Sequence, residues 1–413
     1  MSASPANDPA REPTPLRRTR SERADEHLLA DEAFQKAFGE PLARTLDLET
    51  WLPGEDLARL YDRLESEVKN ALAHEDSVLA TIRRDVLPMI RPRPHVPVAG
   101  VFRVSPEDIA RAHKLVLFNG GVEAVDGTFA GHDTLAVTIT QVGVCLVSYR
   151  GDSGSWVHRL YRRDLRTEFA DPIREAQELL DQRQRRAGVD QPERRSQLSD
   201  LAQRGILAYA ERAAMLERSE APWRMGHGNP VPVELLSGSG YMALLDAALP
   251  LLRRLIAEHR KFVYVPSAPK EGGLLTIGHA LQPLEYAVID SAAQRLRDIV
   301  DRYHYDRTHF LRARDFVEEI GPQVLIGVYR ISTLGPPRLF YAHRDHVHEA
   351  ALIAMADSAL QEHRAFPTLI DLADTVCRTI FGPADFHDSV HLAYLDAGHP
   401  YSYLGERETR SLR

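Results

Sequence analysis

Cysteine is nearly absent from these 413 residues: Cys145 and Cys377 are the only two, far apart and each inside an apolar run. That usage argues against a disulfide framework or a cysteine-based zinc site, and it fits a reducing cytoplasm. Long hydrophobic runs are missing as well, so no stretch is expected to span a bilayer. The opening MSASPANDPAREPTPLRRTRSER lacks the apolar region of a secretory signal. Lysine is confined to Lys36, Lys69, Lys114, Lys261 and Lys270, and arginine carries the remaining positive charge, a bias that reflects genome composition. A formal charge of −8 speaks against indiscriminate coating of nucleic acid, though not against a local basic groove. What is present, 44% apolar and 27% charged residues, is the balance of an ordinary soluble globular protein. The length allows two or three domains, or one large domain with a helical appendage.

Residues 1–24 are rich in Pro, Ser, Arg and Asp without apolar periodicity and read as a disordered tail. From 28 to 95 the pattern is helical, with Leu57, Leu60, Tyr61, Leu64 and Val68 at helical spacing, and Pro92, Pro94 and Pro97 marking a boundary. Residues 96–400 form the main domain, and 401–413 a C-terminal tail. Val122–Tyr149 reads as two or three short strands with a turn at Ala130–Asp133. Helices are expected over Pro172–Arg186 and Ser196–Glu217, and a short strand over Pro232–Leu236. Further strands follow at Lys261–Val265, Val324–Ile331 and Arg338–Tyr341, with closing helices at 346–363, 366–381 and 386–397. A strand meander followed by alternating strands and helices predicts an α/β fold, a mixed sheet covered by helices.

Four carboxylates stand where a core residue is expected. Asp126 ends an apolar run at the edge of a sheet, where an acid is costly unless a cation meets it. In the helix ending at Glu217, Leu207, Ala210 and Ala214 share a face that Glu217 extends by three residues, while Glu211 and Glu220 fall away from it. Glu234 interrupts the apolar run of Val231–Leu236 just before a Gly-rich turn. Asp374 shares the apolar face of Phe366, Leu369, Ile370, Ala373, Cys377 and Ile380, with Asp371 more peripheral. Carboxylates that converge cannot all stay ionised without counter-charge, and divalent ions with hard oxygen ligands supply it. Asp126, Glu217, Glu234 and Asp374 are therefore the expected catalytic and metal-binding residues, with Mn²⁺ or Mg²⁺ as the ion. Two such ions suit phosphodiester cleavage.

The strand start Val125-Asp-Gly-Thr128 resembles the first motif of the NurA nucleases. Glu217 followed by Glu234 and a Gly-rich turn looks like that family's second and third metal-binding positions. Phe366-Pro-Thr-Leu-Ile-Asp-Leu-Ala-Asp374 resembles its last motif. The family's third acid is commonly Asp in an Asp-Gly-Ser context, where Glu234 precedes Ser237-Gly-Ser239 here. Its last motif commonly carries His and Tyr, where this chain has Asp374 and Phe366. The resemblance covers most of 115–400. It implies an RNase H-like mixed sheet flanked by helices and Mn²⁺-dependent cleavage of single- and double-stranded DNA. It also implies a homodimer that works with a HerA-like hexameric ATPase in DNA-end processing, repair or antiphage defence. The other class that fits is a catalytically weak DNA-binding or scaffolding subunit of a translocase complex.

The DNA path is expected along Arg159, Arg162 and Arg163, with Trp156 and Tyr161 able to stack on bases. Ser237-Gly-Ser-Gly240 lacks the Gly-Lys-Ser/Thr of a Walker A loop, so no ATPase activity is expected. Ser237 and Ser239 could instead face a DNA phosphate, with Ser239 as a helix cap. His343 is a further candidate phosphate contact, and His387 and His391 are expected on a solvated helix face.

Overall fold

The computed structural model describes residues 31–54, 59–133, 137–151, 153–162, 177, 201–268 and 272–400. The expected terminal tails 1–24 and 401–413, most of the expected Pro172–Arg186 helix, and Arg163 lie outside the described residues. Two compact units are present, Met1–Asp76 and Ser77–Arg413.

In the first unit, helices cover Asp31–Phe38 and Leu42–Leu46, and a long helix starts at Arg59; it ends at Thr81, past the boundary at Asp76. Its Leu60, Tyr61, Leu64 and Val68 recur at helical spacing, as expected, and all four side chains are exposed.

The second unit is built on one nine-stranded sheet. Its strands are β1 (Gly100–Arg103), β2 (Val122–Asp133), β3 (Thr138–Val147), β4 (Ser153–Arg162) and β5 (Trp223–His227). The remainder are β6 (Phe262–Val265), β7 (Glu285–Ser291), β8 (Val324–Arg330) and β9 (Arg338–His343). Their order is β1-β7-β8-β9-β6-β5-β2-β3-β4. β2, β3 and β4 form an antiparallel meander, while β5 runs parallel to β2 and β6 parallel to β5. An antiparallel meander continued by two parallel strands is the RNase H-like core, here widened by an antiparallel β9-β8-β7-β1 extension. Residues 77–95 join this unit. Arg83 grips Glu285 with two hydrogen bonds of 2.9 and 3.1 Å, and Leu87 is buried beside Leu281, Ala287 and Val328. Among the described residues no helix is long and apolar enough to cross a membrane.

Helices cover both faces of the sheet. Successive strand residues point to opposite sides, and β2 obeys this closely. Val125 clusters with Ala214 and Met215 of the Ile206–Glu217 helix, whereas Ala124 clusters with Ile370 and Ala373 of the Thr368–Phe381 helix. The register Asp126↔Cys145 and Thr128↔Gly143 sets these side-by-side positions on the second face. Gly143 has to lack a side chain there: a Cβ would sit 2.3 Å from Phe381 Cδ2 and 2.6 Å from its Cβ. Phe381 cannot swing clear when its own Cβ is that near. Gly143→Ala is therefore expected to cost about 1–3 kcal/mol of unfolding free energy by overpacking, measurable by urea denaturation.

The strand boundaries differ from the sequence reading in three places. β2 continues through Ala130–Asp133, so Asp126 lies within a strand and not at its end. Pro232–Leu236 is not a strand: Pro232 precedes a helical turn over Val233–Leu236 whose backbone hydrogen bonds run back to Pro232 and Val233. The sequence reading assigns no strand at β1, β4, β5 or β7.

Candidate active site

The site forms where the two helices approach β2 from opposite faces. Asp126 is 6% exposed, and its carboxylate accepts a 2.9 Å hydrogen bond from the N–H of Gly127. Gly127 faces the Ile206–Glu217 helix. A Cβ there would stand 2.5 Å from Leu207 Cδ1 and 2.9 Å from Glu211 Oε1. The missing side chain lets the Glu211 carboxylate settle against the strand beside Asp126, and the Gly127 N–H also favours its ionised form. Gly127 is thus the opening through which an acid from one face of the sheet meets an acid from the other.

Glu211, and not Glu217, is the helix acid of this site. Glu217 is exposed and pairs with Arg254 at 3.4 Å in the last turn. Extending the apolar face from Ala214 to Glu217 takes a step of three, which turns back by about 60°. The face that meets β2 instead runs through Leu207 and Glu211, at a step of four. Glu211 is held by Arg212, whose Nη1 lies 2.6 Å from Oε2. Arg212 is itself 3% exposed, donates to the carbonyl of Asn229 at 2.6 Å, and lies over the Tyr264 ring. The loop leaving β5 is tied in this way to the helix that carries Glu211. Arg224, on β5, closes the other end of that helix by donating to the carbonyls of Met215 and Ser219.

His227, the last residue of β5, was not singled out in the sequence. The parallel register Val125↔Gly226 brings it next to Asp126, with Nδ1 3.8 Å from Oδ1. Its Nε2 lies 2.9 Å from Ser267 Oγ, and its ring meets Phe366 edge-on. Asp374 comes from the Thr368–Phe381 helix and pairs with Arg378 one turn on, at 2.8 Å. Glu234, half-buried in its helical turn, acts on Glu211 electrostatically.

The charges do not balance. Burial, then the negative charges of Glu211 and Asp374, push Asp126 up to about 8, against the opposing pull of Gly127 N–H and Arg378. Burial raises Glu211 too, more than Arg212 lowers it, and Glu234 adds to the rise. Burial lowers His227, which keeps its imidazole neutral and able to offer a ring nitrogen. Arg212 and Arg378 are each spent on another acid, and among the described residues no Arg or Lys stands within 4.0 Å of Asp126. The carboxylates of Glu211 and Asp374 and the neutral imidazole of His227 around the buried Asp126 fit a hard divalent ion, Mn²⁺ or Mg²⁺. Among the described residues, no three such side chains already stand at metal-enclosing distance, so the group converges without closing.

The expected DNA contacts fare differently. Arg159 is exposed on edge strand β4, bonded to Gln141 at 2.7 Å and lying over Phe386. Arg162 ends the same strand. His343 is 1% exposed, on β9, with burial lowering it to about 4. A side chain inside the sheet cannot reach a phosphate, and it accepts instead from the backbone N–H of Asp345. His387 is likewise buried, against His132. Ser237 is buried and accepts from Ser239 N–H, and Ser239 donates to the Glu234 carbonyl. Ser239 is not a helix cap, because the next helix begins only at Met242 with Tyr241 before it.

No protein-family model matches the sequence, and no curated protein does. Among solved structures the chain is similar to the NurA nuclease from Sulfolobus solfataricus, at 10% identity over 77% of this chain and 91% of that one, with a TM-score of 0.41. A NurA structure with manganese matches at 10% identity over 79% and 94%, TM-score 0.36. Ciona intestinalis endonuclease V, in complex with a 24mer DNA containing an inosine followed by a ribo-adenosine, matches at 12% identity over 62% and 84%, TM-score 0.24. The chain is thus structurally similar to NurA nucleases over about three quarters of its length.

Proposed function

We propose that this chain is a divalent-metal-dependent deoxyribonuclease whose ions are held by Asp126, Glu211, His227 and Asp374, with Glu234 at the margin. The observation that carries this is the uncompensated Asp126, buried within reach of the charges of Glu211 and Asp374. Bound divalent ions would supply charge compensation for these acids, water activation, and stabilisation of the leaving oxygen of a phosphodiester. The chain's own residues prepare that site. Gly127 N–H fixes the Asp126 carboxylate, Arg212 aims Glu211, and Ser267 with Phe366 orients the His227 ring. Arg159 and Arg162 on β4 are proposed to guide the DNA backbone by charge.

The motif resemblance at Val125–Thr128 and Phe366–Asp374 extends the proposal to DNA as substrate, a homodimer, and a HerA-like hexameric ATPase as partner. One observation favours the second reading, a DNA-binding or scaffolding subunit: the acids do not enclose an ion among the described residues. Digestion of end-labelled single- and double-stranded DNA in Mn²⁺, Mg²⁺ or EDTA, with and without the ATPase, separates the two. Metal-dependent cleavage that Asp126→Ala abolishes is the expected result. Absence of cleavage in every combination would leave the scaffolding role.

A further inference from the structure

A cavity of about 430 Å³ opens at the start of the Ile206–Glu217 helix, lined by Arg204, Glu234, Ser237, Ser239, Arg302 and Tyr303, among others. Its volume suits one small ligand. Arg204 leads into the helix that carries Glu211, and Glu234 of the cavity wall acts on Glu211 electrostatically, so the cavity flanks the Glu211 side of the candidate site. Two arginines face into it from different elements: Arg204 from the turn leading into the Ile206–Glu217 helix, and Arg302 from the end of the Ala293–Arg302 helix. Both are exposed, and among the described residues neither has a carboxylate partner. Tyr303, 43% exposed, presents an aromatic ring at the same rim, next to His304. The floor is firm, because Tyr305 donates to the Leu236 carbonyl at 2.9 Å and Ser239 to that of Glu234 at 3.2 Å.

We propose that this cavity is a nucleotide subsite in which Arg204 and Arg302 hold the phosphate and Tyr303 stacks on the base of a strand lying next to the acid cluster. Paired guanidinium groups suit a phosphate, and an exposed aromatic ring accepts any base. Acids alone repel a polyanion, so a cationic pocket on the flank is what would bring a strand to them. The placement beside a cleavage site rests on the reading above; the binding itself does not.

The test measures binding in EDTA, where no cleavage can occur. The probes are a fluorescent dinucleotide with and without a 5′-phosphate, followed by anisotropy, and free dAMP as competitor. The Arg204→Glu, Arg302→Glu double variant is expected to weaken the phosphorylated dinucleotide at least tenfold. It should also lower the slope of log affinity against log salt by about 2, one per lost phosphate contact. Tyr303→Ala should weaken both dinucleotides about tenfold, and Arg91→Glu, on a remote surface, neither. Competition by dAMP as strong as by the dinucleotide would assign the site to free nucleotides, overturning the strand assignment. Unchanged affinity in the double variant, with Asp126→Ala still abolishing cleavage, would overturn the subsite and leave the nuclease reading standing. Arginine-dependent binding by a protein that never cleaves would do the reverse.

Discussion

Asp126→Asn is expected to stabilise the metal-free protein at pH 8 while abolishing cleavage. The folded state holds the Asp126 proton up to about 8, far above the ordinary 3.8 that the unfolded chain would show. Below pH 4 both states are protonated and nothing is lost. As pH rises from 4 towards 8, the unfolded chain releases this proton readily and the folded chain does not, so stability falls across that window and levels above it. Each unit of difference corresponds to about 1.4 kcal/mol. The rise is shared with Glu211, which titrates with it, so an asparagine should recover on the order of 2 kcal/mol at pH 8 and little at pH 3, where both states hold the proton. Urea denaturation in EDTA at the two pH values reads this directly. Added Mn²⁺ should stabilise the wild type by about 2.7 kcal/mol at a hundred times its Kd, and the variant hardly at all. A variant less stable than wild type at pH 8 would mean that the Asp126 charge is already compensated.

The second large effect is a contrast between two glutamates six residues apart. Glu211→Gln keeps the shape of the side chain against Gly127 but removes its charge. It should lower kcat on DNA by about 10²-fold or more, the scale on which groups that organise charge in a transition state act. Glu217→Gln loses only an exposed pairing with Arg254 and should stay within about twofold, since such pairs contribute about 0–1 kcal/mol. Equal losses in both variants, or a loss only in Glu217→Gln, would remove Glu211 from the site.

Much of the sheet is legible in the sequence because its strands are nearly continuous apolar runs. Val324–Arg330 and Phe262–Val265 are buried along almost their whole length and read correctly. β5 does not, because Trp-Arg-Met-Gly-His mixes a charge and a glycine into five residues. Arg224 is tolerated there only because the end of a helix offers it carbonyls, a fact of tertiary structure. The loss of β5 hid His227 with it. Asp126 and Asp374 are legible as acids on apolar faces. Glu211 is not, since its place depends on a glycine in another element that leaves room for it. Asp-Gly within a strand, followed downstream by a helix bearing a central glutamate, is the signal that could have found it. Glu234 is legible as an acid before a glycine-rich turn, but its apolar neighbours suggest a strand where Pro232 instead opens a helical turn.

The nuclease reading stands on a divalent-ion site at Asp126 and its neighbours. Isothermal titration of Mn²⁺ into the wild type and into Asp126→Asn tests it without depending on substrate, partner or turnover. Saturable binding by the wild type that releases protons at pH 7, because Asp126 must ionise to bind, is the expected result, with loss of both signals in the variant. No binding by the wild type, or the same binding and proton release in the variant, would contradict it.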